Sequence, residues 1–167
     1  MNRLTRIGVA VALATTATLA ISQAPPGGGG PGGPPNPEAQ AKTAIETRQA
    51  VFKLIANQNG PLGALNRGNA PDLAVVARNA ARIQTLADMI PDLFTANTTA
   101  VTTIKTRALP GIWTGAADFK AKAEALSKAA GALAEAAKKG DLQATKDANT
   151  AMGRTCGSCH DAYRGPA

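Results

Sequence analysis

From residue 38 onward the apolar positions recur every three or four residues, the spacing of amphipathic helices rather than of strands. A first stretch, about residues 37–59, sets Ala41, Ile45, Arg48, Phe52 and Ile55 along one side. Asn59-Gly60-Pro61 is expected to stop it, because glycine accepts a left-handed cap and proline cannot continue a helix. A second stretch begins at Pro71 and aligns Leu73, Val76, Ala80, Ile83, Ala87 and Ile90; Pro91 should kink or end it. The third, about residues 114–139, is the most regular, with Phe119, Ala123, Leu126, Ala130, Leu133 and Ala137 in alternating steps of four and three. The fourth follows Gly140-Asp141, with Asp141 as N-cap, and carries Leu142, Thr145, Ala148, Met152, Cys156, Cys159 and Tyr163 on one line. Four amphipathic helices with three connections pack most simply as an antiparallel four-helix bundle, so the expected fold class is all-α. The connection over residues 95–113 is long for a bundle, and a loop of that length is expected to cover something.

Composition agrees with helices. Hydrophobic residues make up 44% of the chain and aromatic residues only 3%, so the side chains that favour strands are scarce. Ahead of the periodic region lie two segments of another character. Residues 1–24 read as a secretory signal: Arg3 and Arg6 form a positive start, residues 7–21 are mostly apolar, and small residues lead to Ser22-Gln23-Ala24. The apolar run is short and rich in threonine for a membrane span. Cleavage after Ala24 would set Pro25 beside the cut, which leaves cleavage after Ala20 as the alternative. Residues 25–37, almost wholly glycine and proline, cannot pack and read as a tether. The bundle would then occupy residues 38–167, and the expected location is the periplasm. The net charge of +7 falls to +5 once the leader is set aside. Spread over helices, that charge reads as a solvated surface rather than a nucleic-acid footprint.

The chemistry lies at the end of the fourth stretch, in Cys156-Gly157-Ser158-Cys159-His160. Two thiols three positions apart, followed at once by histidine, are what covalent haem attachment requires. The thiols add across the two vinyl groups of the porphyrin, and the adjacent imidazole can reach the iron. A structural zinc site would need ligands that a chain with two cysteines and one histidine lacks. A redox dithiol should follow a strand at a helix N-terminus, whereas this pair ends a helical pattern. There is no phosphate-binding glycine loop and no serine nucleophile motif, so no enzyme class is indicated. The expected cofactor is one haem c per chain, held by Cys156 and Cys159, with His160 as the iron ligand. Seven residues follow His160, none a methionine. Met152 lies one turn before Cys156 on the same helix, and Met89 reads as a core or edge residue, so the sixth iron position is expected to be open.

At this point the chain resembles the cytochromes c′, the class II cytochromes c, over about residues 38–164. The resemblance rests on Arg48-Gln49-Ala50-Val51-Phe52, on Pro110-Gly111-Ile112-Trp113 leading into Phe119, and on residues 156–164. It implies a left-twisted four-helix bundle, usually a homodimer, with a five-coordinate high-spin haem on His160. It further implies that Arg48 and Gln49 lie near the haem propionates, that Phe52 occupies the distal position, and that Arg164 stands beside the proximal histidine. Thr106, in the long loop, is a further propionate candidate. Low-spin relatives place methionine near where Phe52 stands, and phenylalanine cannot ligate iron. Trp113, Phe119 and Tyr163 read as packing residues. The function expected from this is binding of small neutral gases, nitric oxide and carbon monoxide, with nitric oxide tolerance as the role. The alternative is one-electron transfer at the haem edge to a redox partner protein.

Overall fold

The computed structural model describes residues 36–67 and 71–166; the expected leader and nearly all of the tether lie outside the described residues. Asn36 opens the first helix, α1 (Pro37–Asn66), by accepting the Glu38 N–H at 3.0 Å, and Pro37 stands in the first turn, where its missing donor costs nothing. The helix thus begins inside the segment expected to be tether.

α1 runs through Gly60 and Pro61, past its expected stop. Gly140 is the only described glycine with positive φ, so Gly60 makes no left-handed cap. The continuation is explained by Leu62 and Leu65, both buried in the core. Burying two leucine side chains is worth about 1.5–3 kcal/mol each, which offsets the roughly 3 kcal/mol cost of an interior proline. Pro61→Ala is therefore expected to stabilise the fold by about 1–2 kcal/mol, after allowing for the greater freedom alanine gives the unfolded chain. Thermal unfolding checks this: an unchanged or lower Tm would mean that α1 carries Pro61 without cost.

Asp72 caps α2 (Leu73–Asp88) by accepting the Ala74 N–H at 2.8 Å. Its expected stripe is buried at Val76, Ala80, Ile83 and Ala87. Pro91 acts as a boundary, standing in the first turn of the single-turn α3 (Ile90–Leu93). Another single turn, α4 (Gly111–Thr114), precedes α5 (Ala116–Lys138), all six of whose predicted stripe residues are buried. Gly140, at φ 77°, makes the turn that only glycine takes without strain. Asp141 then caps α6 (Leu142–Tyr163) by accepting the Ala144 N–H at 2.9 Å. The buried Thr145 donates its hydroxyl to the Asp141 carbonyl at 2.6 Å, while Leu142 is exposed.

α2 and α5 form the most extensively packed pair, α5 carries α6, α1 rests on α2, and α1 meets α6 only sparsely. This closes the ring of an all-α four-helix bundle. The face of α1 that turns inward is Ala41, Ile45, Arg48, Val51, Leu62 and Leu65; Phe52, expected on that stripe, is 38% exposed at its rim.

The segment from residue 95 to 110 straps one end of the bundle. It receives hydrogen bonds from α1 and pairs with the end of α6 through an isolated antiparallel bridge, Ala108 with Arg164. Leu109 N–H donates to the Tyr163 carbonyl at 3.0 Å, and Gly165 N–H to the Arg107 carbonyl at 2.8 Å. Among the described residues, no helix is long and apolar enough to cross a membrane.

Candidate functional site

Helical spacing on α6 sets Cys156 and Cys159 on nearly the same face, with His160 at the next position. Both thiols are half-buried and pack against the hydrophobic core. Burial pushes the Cys156 thiol pKa up, against an opposing backbone hydrogen bond and the Thr155 hydroxyl. Burial also raises that of Cys159; nearby Lys122 opposes the shift, while Cys156 and Asp118 add to it. A raised thiol pKa disfavours the reactive thiolate of a redox dithiol. No group of three potential metal ligands occurs among the described residues. Burial pulls the half-buried His160 below the usual histidine range; Arg164 and Arg107 lower it further, and Asp161 works against them. The shift favours the neutral imidazole, whose unprotonated ring nitrogen carries the lone pair a metal needs.

A cavity of about 210 Å³ lies between α1 and α6, lined by Asn59, Leu62, Gly63, Asn149, Met152, Gly153 and Cys156. It opens where these two helices make little contact, so one thiol faces a space bordered by Leu62 and Met152 and by the amides of Asn59 and Asn149. Half-buried paired thiols with an imidazole at the next position fit a covalently held haem, while Cys159 and His160 lie outside the lining of this cavity.

On α1, Arg48 is 4% exposed. Its Nε donates to the Leu93 carbonyl at 2.7 Å, Nη2 to the Ala96 carbonyl at 2.6 Å and Nη1 to Thr98 Oγ1 at 2.9 Å. The guanidinium also lies 4.5 Å from the centroid of the Phe94 ring and 5.5 Å from that of Trp113. Burial lowers its pKa. Among the described residues no carboxylate forms an ion pair with it, and neutral oxygens and ring faces solvate the charge. Three of its five N–H groups are thus engaged by the end of α3 and the loop after it, and two are left for a further acceptor. Gln49 donates to the Lys105 carbonyl at 3.1 Å. The structure gathers Arg48 and Gln49 against the strap, with Phe52 one turn further along α1.

His160 and Arg164 form the second group. Arg164 Nη1 is 3.5 Å from His160 Nε2, and its backbone N–H closes α6 on the His160 carbonyl at 3.0 Å. Thr106 is exposed and accepts the Ala108 N–H at 3.2 Å within its own turn. Its neighbour Arg107 is the loop residue that acts on His160, while donating Nε–H to the Gly165 carbonyl at 2.8 Å. Sequence reasoning passed over Arg107; a basic residue adjoining a singled-out threonine was the available signal.

It also passed over Phe94, the centre of an aromatic cluster. Phe94 meets Phe119 at 4.9 Å, Trp113 at 6.1 Å and Phe52 at 6.4 Å between centroids, and Phe119 meets Tyr163 at 5.3 Å. Tyr163 packs as expected: its hydroxyl donates to Asp118 Oδ2 at 2.6 Å, and that bond is the main reason its pKa is pushed up to about 12. Gly115 permits this close approach, since a Cβ there would sit 3.1 Å from the Tyr163 hydroxyl oxygen.

The chain is similar to known proteins over most of its described length. The sequence profile of the family described as Cytochrome C' matches residues 43–164. The cytochrome c′ of Rubrivivax gelatinosus is 38% identical over 122 residues, covering 72% of this chain and 93% of that protein. Among solved structures, cytochrome c prime from Shewanella frigidimarina superposes with a TM-score of 0.68 at 38% identity, over 75% of this chain and 97% of the other. The nitric oxide complex of a cytochrome c prime variant from Alcaligenes xylosoxidans gives 0.67 at 32% identity, over 76% and 97%.

Proposed function

The chain belongs to the cytochrome c′ family, whose members carry c-type haem covalently, and on that footing we propose that it is an exported, periplasmic haem protein binding nitric oxide and carbon monoxide at an open iron position. In this reading Cys156 and Cys159 hold the haem, His160 supplies the proximal nitrogen, and Phe52 walls the distal side. Arg48, Gln49 and Thr106 serve the propionate end, and Arg164 stands beside His160. The bound haem supplies an iron able to take a small neutral ligand.

The single observation that carries the reading is the placement of the thioethers. Met152 is buried on α6 itself, one turn before Cys156, and Met89 is 45% exposed at the end of α2. Neither stands on α1, where Phe52 offers a ring in place of a ligand. That ring also offers no hydrogen bond, so dioxygen, which gains from a donor, has no advantage over nitric oxide or carbon monoxide. The relative solved with nitric oxide bound supports the same ligand class. Nitric oxide tolerance is the cellular role this suggests. A homodimer rests on the family resemblance.

An optical spectrum of the ferrous protein with and without nitric oxide tests the reading. A high-spin spectrum shifting on addition supports it, and a sharp low-spin spectrum indifferent to the gas overturns it. The second reading is a one-electron carrier working at the haem edge; the low-spin outcome would select it. A Cys156→Ser, Cys159→Ser double variant is expected to lose covalent haem altogether, seen as loss of haem stain on a denaturing gel and of the c-type pyridine haemochrome. Retention of covalent haem would overturn the assignment of these two residues.

A further inference from the structure

Phe52 leans on one ring. It is 38% exposed, and its aromatic partner is Phe94, met edge-on at 6.4 Å and 60°. Phe94 is only 8% exposed and is held from several sides. Phe119 meets it at 63°, the Arg48 guanidinium covers it, and Trp113 stands against it. Its main chain is pinned as well, because Trp113 Nε1–H donates to the Phe94 carbonyl at 2.9 Å. A ring so enclosed does not yield, since close-packed interiors leave no room for it to move. Phe52 therefore has a fixed wall on one side. Because Phe94 does not yield, a swing of the Phe52 ring breaks the edge-to-face contact.

We propose that Phe94 is a second gating residue: by holding Phe52 in place it sets the rate at which small neutral gases reach the distal side of the haem. This rests on the reading of Phe52 as the distal wall. Phe94 touches neither iron nor gas in this scheme; it is a positioning residue.

The test is a double-mutant cycle on the haem-loaded protein, read by carbon monoxide association after flash photolysis. Phe94→Leu is expected to speed association about two- to tenfold, the factor by which losing one edge-to-face aromatic contact lowers the barrier to ring motion. In a Phe52→Ala background the same change should have no effect, since the ring it controls is gone. The Phe52 ring-flip rate, followed by NMR, should rise in Phe94→Leu independently of any gas. Should the leucine variant fold poorly, Phe94→Met keeps the bulk while removing the ring edge. Leu133→Ala, in the core away from this contact, controls for general loosening and should leave association unchanged.

Equal acceleration by Phe94→Leu in both backgrounds overturns the proposal, because Phe94 would then not act through Phe52. So does acceleration by Leu133→Ala to the same degree. If Phe52→Ala speeds association while Phe94→Leu does not, the second gate fails and the distal wall stands. If Phe52→Ala itself has no effect, both fall together.

Discussion

Phe52→Ala is expected to raise the carbon monoxide association rate by about tenfold or more, equivalent to removing at least ~1.4 kcal/mol of barrier. No bond to iron is lost, so the haem should stay attached. The ring that must move aside is simply gone. The stability cost should be modest. A phenylalanine enclosed by protein on all sides costs about 3–5 kcal/mol when cut to alanine; here the ring's protein-side aromatic contact is one edge-on meeting with Phe94, so about 1–2 kcal/mol is expected. Flash photolysis gives the rate and thermal melting gives the cost. Phe52→Met adds a separate check, since a thioether at that position should reach the iron and turn the spectrum low-spin. A variant that melts lower yet binds carbon monoxide at the parent rate would show Phe52 to be ordinary packing.

The largest loss of stability is expected from Arg48→Ala, about 3–5 kcal/mol. The guanidinium reaches the Leu93 carbonyl at the end of α3 and the Ala96 carbonyl and Thr98 Oγ1 in the loop that follows. Removing it leaves a void and strands three acceptors, of which Thr98 is buried. Arg48→Lys should recover only part of the loss, because one ammonium cannot reproduce a rigid fork of donors. Arg48→Met, which fills the space and donates nothing, separates volume from hydrogen bonding. Urea unfolding measures the cost. Hydrogen exchange should show faster exchange over residues 95–110 in all three variants. If the methionine variant unfolds at the parent urea concentration, the guanidinium is not what holds the loop.

What the chain made legible follows its periodicity. The stripe on α5 could be read because seven-residue spacing over a long helix leaves no ambiguity about its buried face, and Asp141 followed from its short side chain ahead of an apolar run. The buried face of α1 was harder. From Arg48 a step of three reaches Val51 and a step of four reaches Phe52, and only packing decides that the smaller valine turns inward. The far end of α1 was misjudged because Gly60 and Pro61 signal locally, whereas Leu62 and Leu65 respond to a core assembled from distant helices. Phe94 escaped notice for a related reason: it follows the α3 turn, outside any periodic run, and its neighbours come from α1, α4 and α5. The cysteine and histidine motif was legible as chemistry. The loop partners of Arg48 were not, because a spacing of 45 to 50 residues leaves no local trace.

On α6 the buried Thr145, Met152 and Tyr163 run along the side that also carries the half-buried Cys156 and Cys159, and this alignment amounts to a constraint on angle. Each residue advances a helix by about 100° and 1.5 Å. One residue inserted between Met152 and Cys156 would turn both thiols about a quarter of a circle relative to the core, leaving their chemistry intact and their direction wrong. Seven inserted residues would nearly restore the direction, about 20° short of two full turns, but would lift the motif roughly 10 Å along the axis. The bridge between Ala108 and Arg164 and the bond from Leu109 to Tyr163 forbid that rise, since they fix the height of the helix end. The buried stripe sets the azimuth of the motif and the strap sets its altitude, so its position on α6 is specified as tightly as its residues.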